Sequence, residues 1–73
     1  MKHDESSDGA FATLMSRARG EFLEMPGLRL GSAQAARLWA IDRQTSERIL
    51  VRLAAAGFLS RTADGFYLRT PEL

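Results

Sequence analysis

The sequence predicts an α+β fold that is mainly α: three helices followed by a C-terminal β-hairpin. Three observations predict it. Apolar residues recur at helical spacing from Phe11 to Phe22, and Ser46, Ile49, Leu50 and Leu53 mark a second helical face. Beyond Gly57 the period changes, and two short apolar runs flank Thr62-Ala63-Asp64-Gly65, an Asp-Gly hairpin signal. A length of 73 residues leaves room for one small domain and no second core.

Residues 1–8 are polar and without period, and are expected as a disordered lead to a domain over 9–70, with 71–73 as a tail. Asp8 is a candidate cap for the helix that follows. In that helix Phe11, Leu14, Met15, Ala18 and Phe22 form one face, and Pro26-Gly27 ends it. Leu28-Arg29-Leu30 alternates like a very short strand. Ser32 reads as the N-cap of a second, alanine-rich helix from Ala33 to Trp39, with Ala35, Leu38 and Trp39 inward. Asp42 reads as the N-cap of a third helix of about four turns, because its carboxylate can accept from first-turn amides. Ser46, Ile49, Leu50, Leu53 and Gly57 mark its inner face, and Gly57 stops it. Arg43, Gln44, Glu47, Arg48, Val51, Arg52 and Ala55 mark its outer face. Phe58 to Arg61 and Phe66 to Arg69 are the hairpin strands. Leu28, Leu30, Ile41, Phe58, Leu59, Tyr67 and Leu68 complete a core just adequate for a monomer. Leu23, Met25, Val51 and Phe66 are left over and offer a dimer patch.

Composition narrows the function. Hydrophobic residues are 45% and charged residues 26%, an ordinary globular balance. With no cysteine and one histidine, His3, in the polar lead, thiolate chemistry and histidine-based metal sites or triads find no residues. No cofactor motif is visible, and an enzyme is not expected. No apolar run approaches the roughly 18 residues of a membrane span, and the N-terminus lacks the apolar core of a signal peptide, so the expected location is cytoplasmic. The net charge of +1 hides an asymmetry. Residues 1–27 carry three basic against five acidic side chains, a net −2, whereas residues 28–73 carry seven arginines against four acids, a net +3. Arginine suits bidentate recognition of phosphate and guanine.

The stretch from Ile41 to Leu59, with Asp42 and Thr45 ahead of Arg48, Ile49, Leu50, Arg52 and Leu53 and with Gly57 before two apolar residues, resembles the recognition helix of winged helix-turn-helix regulators of the MarR type. The hairpin from Leu59 to Arg69 sits where their wing sits, and the resemblance covers about residues 10–70. It implies a three-helix winged helix-turn-helix with a C-terminal β-hairpin wing. It also implies a small prokaryotic transcriptional regulator that binds double-stranded DNA by inserting helix 42–57 in the major groove. Two departures stand out: Ser46 replaces a small apolar residue, and Ala54-Ala55-Ala56 replaces a charged cluster.

The residues fit that role as follows. Arg43, Gln44, Thr45 and Arg48 lie near the helix N-terminus, where base edges are read; arginine pairs with guanine and glutamine with adenine. An Arg48 that reads guanine is worth roughly 1–3 kcal/mol of specific binding. Arg52, one turn on, is within reach of phosphate. Ser32 and Gln34 at the second helix start are candidate phosphate donors, and Arg61 and Arg69 flank the wing turn. Glu47 opposes phosphate and is expected to serve in a solvent or salt-bridge role, Asp64 belongs to turn chemistry, and Trp39 and Tyr67 belong to the core. One of Phe66 and Tyr67 points outward and is then an interface candidate. The alternative function is a winged-helix protein-interaction module or a subunit of a larger complex, with a protein partner or a second copy in place of DNA.

Overall fold

The computed structural model describes the backbone of residues 2–71 and the side chains of residues 9–71. Three helices, α1 (Lys2–Glu24), α2 (Ser32–Trp39) and α3 (Arg43–Ala55), precede two strands, β1 (Leu59–Arg61) and β2 (Tyr67–Arg69). The strands pair antiparallel, Leu59 with Arg69, Ser60 with Leu68 and Arg61 with Tyr67. The expected α+β, mainly α layout is therefore present, and it is consistent with a winged-helix arrangement.

Helix α1 begins at Lys2, which differs from the irregular lead expected over residues 1–8. The backbone of Asp8 lies inside the helix, not ahead of it. Asp8 as a cap and His3 as tail concern side chains outside the described residues, as do Glu72 and Leu73 of the expected tail. Ala18 and Phe22 of α1 are buried, and Phe11, Leu14 and Met15 pack partly buried against the core, as the 3–4 spacing requires. The helix ends before Pro26, where the Leu28 amide donates to the Met25 carbonyl.

Helix α2 is capped by Gly31, not by Ser32, which is already the first helical residue. The Gly31 amide donates to Oε1 of Gln34 at 3.0 Å, so Gln34 supplies one half of a capping box. Ala35 and Trp39 are buried, but Leu38 is 47% exposed and does not face inward as expected. An eight-residue helix that buries positions 35 and 39 has a narrow stripe, and position 38 falls beside it.

Both α2 and α3 end in the same way. The Ile41 amide donates to the Ala36 carbonyl and the Ala40 amide to that of Arg37. The Phe58 amide donates to the Leu53 carbonyl and the Gly57 amide to that of Ala54. These are the paired bonds of a Schellman ending, which needs a left-handed residue just past the helix. Gly57 fills the position at the end of α3 with φ 85°; Ala40 fills it at the end of α2 with φ 56°. Glycine reaches that region freely, and alanine does not.

Asp42 caps α3 as expected: its Oδ2 accepts from the Thr45 amide at 2.9 Å and its Oδ1 from the Thr45 hydroxyl at 2.6 Å. Ser46, Ile49, Leu50 and Leu53 are all buried beneath α3. Ser46 is fully buried, and its hydroxyl lies 2.7 Å from the Ser32 carbonyl and 2.8 Å from that of Arg43. A hydroxyl has one proton, so the two carbonyls share a single donor. This explains why a polar residue occupies an apolar position: it ties α3 to the first turn of α2.

Leu30 is the only part of the Leu28–Leu30 stretch that acts as a strand. It exchanges both backbone hydrogen bonds with Tyr67, at 3.0 and 2.8 Å, and so adds an isolated bridge to β2. Arg29 and Leu28 stay outside any ladder. In the hairpin the Thr62 amide donates to the Phe66 carbonyl and the Gly65 amide to that of Thr62. The connection is thus the three residues Ala63-Asp64-Gly65, with Gly65 left-handed at φ 90°. Tyr67 is buried in the core.

Candidate nucleic-acid interface

The outer side of α3 is open to solvent. Arg43, Gln44, Glu47, Arg48, Val51, Arg52 and Ala55 are all exposed, and Thr45 is half-buried beside them. Burying positions 46, 49, 50 and 53 turns these residues away from the core. Gln44, Val51 and Ala55 lie at the centre of that outer side. Two grooves flank it.

The groove towards α1 is lined by Ala10, Phe11, Ala12, Leu14, Met15, Thr45, Arg48 and Arg52. The guanidinium carbons of Arg48 and Arg52 stand 5.1 and 5.5 Å from the centre of the Phe11 ring, within cation–π range. Phe11 read as core from the sequence; its contact with both arginines had no sequence signal, because the pairing joins residues about forty positions apart.

The groove towards the hairpin is lined by the first turn of α2, Arg43 and Glu47 of α3, and Arg61, Asp64, Gly65, Phe66 and Tyr67. Here the acids are engaged in structure. The Ser32 hydroxyl donates to Oε1 of Glu47, which ties the carboxylate to α2. The Thr62 hydroxyl donates to Oδ1 of Asp64. Arg29 stands 3.9 Å from Asp64 with both side chains well exposed, a weak surface pair. The Thr62 hydroxyl bond first, then the backbone amide and Arg29, hold the Asp64 carboxyl below its ordinary range. Asp42 is lowered for the same kind of reason, chiefly by the Thr45 hydroxyl and amide.

The sequence-assigned residues therefore divide into groups. Arg43, Gln44, Thr45, Arg48 and Arg52 come together on α3, with Arg61 exposed at the turn end of β1. Ser32 and Gln34 are near them, but the Ser32 hydroxyl is bonded to Glu47 and the Gln34 carbonyl oxygen to Gly31. Arg69 does not flank the turn. It pairs with Leu59 at the root of the hairpin, half-buried, with its guanidinium carbon 5.3 Å from the Phe58 ring centre. A three-residue strand carries its first and last residues to opposite ends of the ladder, so only the residue beside the turn reaches the tip. Phe66 is not a free outward aromatic. Its ring covers Gly31, where an added Cβ would meet it at 3.6 Å, and Arg29 stacks on it at 5.3 Å.

Among the described residues no cluster of histidines and acids could hold a metal, and no helix is long and apolar enough to cross a membrane. Comparisons with protein-family models, with curated proteins and with solved structures find no match for this chain.

Proposed function

We propose that this domain binds double-stranded DNA, with the N-terminal half of α3 in the major groove and the hairpin tip against the backbone. The observation that carries the reading is the exposure of Arg43, Gln44, Arg48 and Arg52 on one side of α3, with Arg61 beside them. Gln44 stands where an adenine edge would be met, and Arg43 beside it suits guanine or phosphate. The acids nearby are Asp42, Glu47 and Asp64, each hydrogen-bonded inside the protein. The positive excess is modest, so a single copy is expected to bind weakly, with non-specific dissociation constants on the order of 10⁻⁴–10⁻⁶ M and tighter binding where the bases suit Arg43 and Gln44.

Fluorescence anisotropy with a labelled duplex at stepped salt tests this. Binding should weaken as salt rises. Arg43→Ala and Gln44→Ala should each reduce affinity, while the distant exposed change Leu23→Ala should not. Absence of binding at low salt would overturn the proposal. Val51, 47% exposed at the centre of the outer side of α3, favours a second reading, a protein-interaction module. That reading predicts a protein complex that survives high salt and is lost on Val51→Asp.

A further inference from the structure

We propose that Phe11 is a positioning residue that assembles Arg48 and Arg52 into a single binding site for one backbone phosphate; this rests on the DNA-binding reading above. Arg48 and Arg52 are four residues apart on α3, so their like charges face one another across one helical turn. Among the described residues neither guanidinium has a carboxylate within ion-pair distance. Both nevertheless stand over one ring, 5.1 and 5.5 Å from its centre. That ring is partly buried against the core, so it forms a fixed platform belonging to another helix.

A guanidinium held over an aromatic face can keep its N–H donors free for hydrogen bonds at its rim. Both arginines line the same groove beside that ring, a place that suits an oxyanion. One phosphate there would relieve the repulsion between the arginines and accept charge-assisted bonds from both. Thr45 lines the same groove at the N-terminal end of α3, and the floor of Leu14 and Met15 is apolar. The arrangement shifts Arg48 away from the base-reading role its sequence position suggests and towards backbone contact.

The test uses the full chain and a labelled duplex of arbitrary sequence, titrated at several salt concentrations. The variants are Phe11→Leu, Phe11→Trp, Arg48→Ala, Arg52→Ala and the double arginine variant. Phe11→Leu keeps apolar packing but removes the π face, and should weaken binding about five- to tenfold. Phe11→Trp should restore it, which a merely structural ring would not require. Circular dichroism melts confirm that each variant is folded at the assay temperature. Because the salt slope counts phosphates neutralised, the double variant should lower it by about 0.9, the value for one phosphate.

A slope change near twice that amount means the arginines serve separate phosphates and overturns the proposal. So does a folded Phe11→Leu that binds like the parent while the arginine variants weaken. Failure of the parent itself to bind the duplex is a different outcome, which removes the DNA-binding reading and this site with it. Tight binding of a polyglutamate peptide to the parent without duplex binding would assign the groove to an acidic protein segment and overturn the phosphate site.

Discussion

Ser46→Ala isolates the contact that ties α3 to α2. The substitution removes one oxygen from a fully buried position, so it creates almost no cavity. What it removes is a single proton shared between the carbonyls of Ser32 and Arg43, at 2.7 and 2.8 Å. Ser32 opens α2 and Arg43 opens α3, so both carbonyls keep their helical partners. The loss is therefore that of one net hydrogen bond, about 0.5–1.5 kcal/mol, without the larger penalty of an orphaned acceptor. For a domain of this length about 1 kcal/mol lowers Tm by roughly 4–8 °C. Thermal and urea unfolding followed by circular dichroism measure it. Ser46→Val should cost more, about 1–3 kcal/mol, because it loses the same hydrogen bond and puts a bulkier β-branched side chain into a fully buried position. An alanine variant as stable as the parent, or more so, would refute the claim that this hydroxyl holds the two helices together.

The end of α2 allows a gain of stability. Ala40→Gly should raise Tm, because a non-glycine left-handed residue costs about 1–2 kcal/mol, against roughly 0.4–1 kcal/mol of added unfolded-state freedom. An unchanged or lower Tm contradicts this. The Asp42 and Asp64 carboxyls are both lowered in the folded state, so folding favours their charged forms. Their contribution is present above the ordinary carboxylate range and disappears as pH falls through the lowered folded-state values. Tm measured from neutral into acid pH should fall there, and Asp42→Asn should make the fall shallower. An identical acid profile for that variant would exclude the cap as a contributor.

Most of the framework could be read from residue order. Period 3.6 located the inner faces of α1 and α3, Asp42 announced a helix start, and Asp64-Gly65 announced the hairpin. The misses have physical reasons. Residues 1–8 carry no apolar face, so periodicity had no signal for a helix reaching back to Lys2. Ser32 is a better intrinsic cap than Gly31, but Gln34, three residues after Gly31, accepts from the Gly31 amide and fixes the helix start there. The hydrophobicity of Leu38 suggests an inward position, but Trp39 already fills that stripe. In the candidate site the exposed arginines of α3 followed from its inner face. The engagement of Ser32 with Glu47, the retreat of Arg69 to the hairpin root and the stacking on Phe11 depend on tertiary contacts. No local pattern encodes them.

On the proposed function, the outer side of α3 and the hairpin tip form one surface for duplex DNA. Amide and arginine-side-chain NMR of the labelled protein, titrated with a short duplex at low salt, tests it most directly. Shifts concentrated at Arg43, Gln44, Arg48, Arg52 and Arg61 are predicted, fading as salt is added. Shifts confined to Leu23, Met25 and Leu38 on other exposed surfaces, or none at all, would contradict it.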